Sequence, residues 1–511
     1  MKSNNSISAQ LVAVFSGCID KLDALIDWRY LFPCLLILVS FLCLPIVWNG
    51  NEEQYFQLAL RRVAPEGFGP YDAAFDTSKA RLVFETILGL IIQLTGYEVA
   101  HQIARVINII ALALGLTVFF SALKFSVFKV IAVIVLFDLA GQEFFAGEWI
   151  FDTVESKTFA YAAVFAALGF GLRQRWVPAV VFAAIATYMH FLVGGFGCVV
   201  LILLANRYVG RWQLDLRLLL GYSALILPLL VLLFIEQYGG SASVRFSDIA
   251  DIYAERVSHH VVPFASLYAF SKWLPGIIFT ASVGLFMLLT RDWAQDKALH
   301  DSVLILLAYL FLALVVAFFD RHDHTFAKFY LFRPSSLILL LAIIAALAMF
   351  FYRSDGNSLP LLKVTLFVII LNYLGVELLE KIKIIRSEEV SANSLAIIDA
   401  VDQYVPPGEV VLIEPEYAHT ESYSLHRRLA RPTLVAWKFL PTYPEDVLEW
   451  HQRLEFQERV FSGQCSGPLK YPTAFLLTFS KAALERVMPC GEILWQSAEG
   501  SALLKLAPQT P

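Results

Sequence analysis

Apolar residues in this chain fall into runs of about twenty, separated by short polar breaks. The first clear run, RYLFPCLLILVSFLCLPIVW at residues 29–48, carries one charge, Arg29. A helix needs about 20 such residues to cross a hydrocarbon core about 30 Å thick. Similar runs predict spans near 98–121, 129–141, 159–173, 177–190, 191–206, 217–236, 274–290, 302–319, 335–352 and 361–380. The stretch LVFETILGLIIQLT, residues 82–95, is shorter and interrupted by Glu85 and Gln93, so it predicts a helix lying in the interface.

With 82–95 on the surface, the breaks alternate in charge. Lys124, Arg173, Arg175, Arg207, Arg211, Arg217, Arg291, Arg353 and Lys363 all fall in short segments on one side. By the positive-inside bias that side is cytoplasmic. The longer segments 49–97, 142–158, 237–273, 320–334 and everything after 381 then face outward. The expectation is eleven spans, N-terminus inside and C-terminus outside. Residues 1–28 hold Asp20, Asp23 and Asp27 and only a short apolar run, which fits an amphipathic cytoplasmic lead-in better than a cleaved signal.

Composition agrees. Of 511 residues, 58% are hydrophobic and 16% charged, against about 45–50% and about 25% in soluble proteins. The net charge of −5 selects no partner. Beyond the membrane region (29–385), residues 386–511 change character. Turn signals at PPGE, ARPT and SGPL separate the β-rich runs EVVLIEP, TLVAWKF, TAFLLTF and ALLKLA from the helical pattern PEDVLEWHQRLEFQERVF. That predicts a small outer α/β domain. Cys465 and Cys490 both lie in it, where a disulfide can persist, although spacing alone does not pair them. There is no Cys/His metal spacing, no GxGxxG, no P-loop and no internal repeat.

Polar groups are costly beside membrane helices, so clusters of them point to chemistry. Four share the predicted outer face. Asn51-Glu52-Glu53-Gln54-Tyr55 places two carboxylates just past the first span; they suit a general base, or simply a helix N-terminus. GEWIFDTVESKTFAY (147–161) holds Glu148, Asp152, Glu155 and Lys157. His190 precedes FLVGGFG at the outer end of a span. DRHDHTFAKFYLFRPSS (320–336) crowds Arg321, His322, His324, Lys328 and Arg333 into one outer loop, against the charge bias. A phosphate is the natural partner there; a divalent cation on Asp320, Asp323 and the histidines is the alternative. Loop 237–273 adds His259 and His260 and reads as a lid over an acceptor, or as a solvated loop.

Taken together, NEEQY (51–55), ESKTFAY (155–161), TYMHFLVGG (187–195), FRPSS (332–336), RRLARPTLVAWKFLP (427–441) and LEWHQR (448–453) resemble the GT-C superfamily of integral membrane glycosyltransferases. More narrowly they resemble a group of bacterial members using polyprenyl-phosphate sugars. The resemblance implies a polytopic helical membrane protein with a C-terminal periplasmic α/β domain, in a bacterial inner membrane. It implies transfer of a sugar from a polyprenyl-phosphate donor to an acceptor hydroxyl on a surface protein, such as a pilin, or on a glycan. Glu52 or Glu53 would activate the acceptor. Arg321, His324, Lys328 and Arg333 would hold the donor phosphate, and Tyr55, Glu155, Lys157, His190, His259 and His260 would bind substrate. No cofactor follows from it, and relatives differ on a divalent cation. A polymerase or ligase using a diphosphate-linked donor is the nearest alternative, and a transporter of lipid-linked substrate a more distant one.

Overall fold

The computed structural model describes residues 12–21, 28–44, 48–76, 78–238, 244–294, 296–353, 358–387, 392–415, 421–465, 470–471 and 473–507. Most of the predicted lead-in and the SGPL turn lie outside these residues.

Helix α1 covers residues 12–21. It is followed by α2 (Leu31–Leu42), α3 (Gly50–Val63), α4 (Leu82–Thr95), α5 (Tyr97–Ala122), α6 (Val127–Leu139) and α7 (Ser156–Leu172). Next come α8 (Trp176–Met189), α9 (Phe191–Val209), α10 (Trp212–Tyr238), α11 (Ala250–Arg256), α12 (Ser258–Val261) and α13 (Leu267–Leu289). The bundle closes with α14 (Lys297–Phe319), α15 (Ser335–Arg353) and α16 (Ser358–Ser387). Each of the eleven predicted spans coincides with a helix. Among the described residues seven are long and apolar enough to cross a membrane: α5, α9, α10, α13, α14, α15 and α16. The protein is a multi-pass membrane protein.

The other four, α2, α6, α7 and α8, have 12, 13, 17 and 14 residues. At 1.5 Å per residue they reach only about 18–26 Å. Helix α2 is shorter than the predicted 29–48 because its end is stopped. Arg105 donates to the Cys43 carbonyl (2.7 Å), and Lys381 donates to the carbonyl of Leu42 (3.3 Å) and to that of Leu44. These cations satisfy carbonyls that a helix end leaves orphaned.

Helix α7 is buried along most of its length because α5 approaches it at backbone distance. A Cβ added at Gly115 would lie 2.2 Å from the Ala162 carbonyl oxygen, and one at Gly169 would lie 2.5 Å from that of Val118. Small residues at such crossings are how apolar helices pack where no hydrophobic force separates them from lipid. The predicted surface segment 82–95 is a separate helix, α4, that packs on α3: Gly89 faces the Ala59 carbonyl in the same manner.

The C-terminal domain contains α17 (Ala392–Tyr404), β1 (Val411–Ile413), α18 (Glu421–Leu429), α19 (Pro444–Phe461), β2 (Phe475–Thr478), α20 (Lys481–Val487), β3 (Gly491–Gln496) and β4 (Ala502–Leu506). The sheet order is β1-β2-β4-β3, with β1 and β2 parallel and the other pairs antiparallel. Leu412, Leu476 and Leu504 pack on one face with Val460 and Leu484; Val411, Ile413, Leu477 and Leu503 pack on the other with Val401 and Leu425. That alternation follows the two-residue period of strands. Cys465 and Cys490 are bonded, with Cα atoms 5.4 Å apart.

One predicted strand is absent. TLVAWKF makes only an isolated bridge, Thr433 to Val411. Its backbone is held by side chains instead, Trp450 Nε1 to the Ala436 carbonyl (3.0 Å) and Arg453 to that of Leu434 (3.1 Å).

Candidate active site

The glutamate pair sits where α3 begins. Asn49 caps the helix by accepting from the amides of Asn51 (2.9 Å) and Glu52 (3.0 Å), and Glu52 returns to the Asn49 amide (3.4 Å). This reciprocal capping box fixes which way each glutamate points. Glu52 is fully buried. It accepts from Arg105 (2.9 Å), His101 (3.1 Å) and the Val154 amide (2.9 Å). Burial pushes its carboxyl up, but the His101 hydrogen bond and the Arg105 charge outweigh that and hold it below the usual range.

Glu53 turns the other way. One oxygen accepts from Arg427 of the C-terminal domain (2.9 Å); the other is buried with no partner. Burial raises its pKa, against the pull of Arg427. The two side chains diverge because adjacent helical residues are splayed about 100° apart.

What faces the cationic loop is the segment between α6 and α7. Gln142 pins it by accepting from the amides of Ile150 (2.8 Å) and Phe151 (2.7 Å). Glu148 is buried and bonds Arg333 at 2.8 Å, with Lys157 at 4.0 Å and His260 at 3.9 Å. Lys157 also lies 3.6 Å from Glu155 and 3.7 Å from the Trp149 ring centre. Glu155 caps α7 and accepts from the Asn51 amide side chain. Arg333 stands just ahead of α15, over the Tyr330 ring (4.7 Å), and its Nε is buried without a partner. Tyr55 completes this side, with Arg81 over its ring at 4.9 Å.

Asp152 differs from its acidic neighbours. It is exposed, whereas Glu148 and Glu155 are each 2% exposed. Desolvation of its carboxyl, then the Glu155 charge, push it up to about 6. Burial raises Glu148 as well, against the pull of Arg333 and Lys157.

His260 bonds the Ala146 carbonyl, and the His259 and His260 rings lie together against Gly147. Burial, then the charges of Arg256 and Lys438, lower His259 to about 4. Burial also holds His260 well below the ordinary value, so both rings are neutral near pH 7. His190 is buried, and its Nδ1 accepts from the Val193 amide (3.4 Å) at the start of α9.

Of the cations expected to hold phosphate, Arg333 alone reaches this cluster. Arg321 folds back on the end of α14, toward the Phe318 carbonyl (3.4 Å) and ring (4.4 Å). Lys328 lies over the rings of Phe246 and Phe329, and His324 faces Asp251 at 3.9 Å. Asp320, the candidate metal ligand, accepts from the amides of Thr325 (3.0 Å) and Phe326 (2.7 Å). This loop folds on itself, and His324 and Tyr330 take left-handed backbone conformations to make its turns.

Sequence reading passed over Arg81, His101, Arg105 and Arg427. His101 and Arg105 were visible as a polar pair at i, i+4 inside an apolar run. Arg427 stood only within the RRLARPT stretch, with no signal tying it to Glu53.

No protein-family profile matches the sequence, and no curated protein matches it. Among solved structures, the chain is similar to ArnT from Cupriavidus metallidurans in the apo state: 11% identity, 96% of this chain and 100% of that one covered, TM-score 0.42. A likeness that distant transfers no residue role.

Proposed function

We propose that this chain is a membrane glycosyltransferase. It moves a sugar from a polyprenyl-phosphate donor to an acceptor hydroxyl at the outer membrane face. The observation that carries the reading is Arg333. Its Nε is buried and unpartnered beside Lys157, at the mouth of a membrane-spanning helix, with an open carboxylate across the cluster. Two cations there suit a lipid-linked phosphate. The leaving phosphate gains negative charge as the glycosidic bond breaks, and Arg333 and Lys157 stabilise it.

The acceptor proton goes to a carboxylate. Glu52 has its oxygens engaged by three groups, so we assign it to positioning: it locks Arg105 and the Val154 backbone. Asp152, two residues before Val154, is exposed with a carboxyl raised toward neutrality, which suits a general base. Glu53, with one free oxygen, is the second candidate. The disulfide supports an outward-facing C-terminal domain.

The test supplies membranes containing the chain with radiolabelled lipid-monophosphate and lipid-diphosphate sugars. Release of polyprenyl phosphate from the monophosphate donor, lost in Asp152→Asn, is expected. Consumption of the diphosphate donor alone assigns a polymerase or ligase. Turnover of neither overturns the reading.

A further inference from the structure

Residues 436–440 of the C-terminal domain pack against the loop that carries His259 and His260 and are clamped from two directions. Phe439 packs with Leu58 of α3 and with Ala73 and Ala74. Leu440 packs with Val257 and Val261 of the loop that carries His259 and His260. Arg256 binds the backbone between them, Nε to the Trp437 carbonyl (2.7 Å) and Nη2 to the Lys438 carbonyl (3.2 Å). Its guanidinium also lies 5.5 Å from the Trp437 ring centre.

Lys438 is therefore held in place by its own backbone and both neighbours. Its side chain is half-buried, yet the ammonium has no carboxylate or hydrogen-bond partner among the described residues. The charges acting on it are Arg256 of α11 and Lys157 and Glu155 at the start of α7, with the neutral His259 of α12 nearby. Glu155 is already engaged by Lys157 and Asn51. A half-buried cation beside two other cations is costly unless an anion joins them.

We infer that the C-terminal domain completes the site and that Lys438 is an anion-binding residue for the donor phosphate, acting with Lys157 and Arg333. The inference rests on the phosphate-donor reading above. It gives the outer domain a part in the chemistry: when the domain is docked, three cations from separate segments converge on one oxyanion. Burial, and then Arg256, lower the Lys438 pKa. The bound phosphate opposes that shift, because an anion favours the charged ammonium.

The test measures binding of polyprenyl phosphate to the purified full chain in detergent, for wild type, Lys438→Met and Lys438→Arg. Methionine keeps the apolar stem, so docking survives, and an unchanged melting temperature verifies it. Lys438→Met is expected to weaken binding roughly ten- to a hundredfold. Lys438→Arg restores binding and extends it to higher pH, since arginine does not lose its proton there. A purely structural lysine predicts no such pH difference. If wild type binds and Lys438→Met binds equally well, the inference is wrong while the donor reading stands. If wild type itself does not bind, the donor reading is what fails.

Discussion

Three groups hold Glu52 and none of them reaches solvent freely, so its replacement tests architecture and that of Asp152 tests chemistry. Glu52→Gln leaves Arg105 without its buried counter-ion, a loss of about 3–5 kcal/mol. A lower melting temperature is expected together with lost activity. Its ionic contribution has a defined sign: the folded carboxyl titrates below its ordinary value. That contribution is full above the unfolded value and is lost as pH falls through the depressed folded one. Asp152→Asn should instead leave the melting temperature unchanged and lower turnover by about 10²–10⁴-fold. Because its carboxyl sits near 6, protonation begins at higher pH than for an ordinary aspartate. The wild-type rate should therefore fall as pH drops through about 6, and Asp152→Asn should lack that limb. His259, near 4, and His260, lower than usual, are neutral throughout and add no step. The sequence marked the segments that carry these acids and cations, but side-chain direction was invisible in it. The capping box of Asn49 turned Glu52 inward, and the turn at Tyr330 separated Arg333 from Arg321.

Helices were readable because lipid forces long apolar runs to satisfy their own backbone groups. The interrupted 82–95 segment, read as a separate shorter helix, is one. Strands were readable where they are buried: EVVLIEP, TAFLLTF and ALLKLA each contain one. Strand β3 escaped because none of its residues is buried and they show no clear alternation, while TLVAWKF looked like a strand and is largely buried irregular chain tied by Trp450 and Arg453. The crossing of α5 and α7 provides a test at this scale. Gly115→Ala would set a Cβ 2.2 Å from the Ala162 carbonyl oxygen, which cannot move without shifting α7. A loss of about 1–3 kcal/mol is expected in detergent thermal unfolding. Gly195→Ala, with nothing within 4 Å, should be neutral or mildly stabilising. Equal effects from the two would mean the helices do not touch as described.

At the scale of the molecule, the C-terminal domain is fastened to the membrane region by pairs far apart in sequence. Arg453 donates to the carbonyls of Pro70 (3.1 Å) and Asp72 (3.2 Å), His426 faces Asp72 at 3.2 Å, and Tyr443 bonds Glu236. No local pattern announces such contacts, which is why the domain was legible but its docking was not. The charge bias predicts an orientation for this assembly, and native cysteines test it. Cys18 is exposed on α1 and Cys465 is bonded to Cys490. If the outer domain is periplasmic, an impermeant maleimide applied to right-side-out spheroplasts should leave Cys18 unlabelled. It should modify the Cys465 and Cys490 thiols once an impermeant reductant has opened the bond. Inverted vesicles should give the reverse, with Cys18 labelled directly. Labelling of Cys18 from outside would place the Arg333 cluster on the cytoplasmic face, where the proposed outer-face transfer cannot occur.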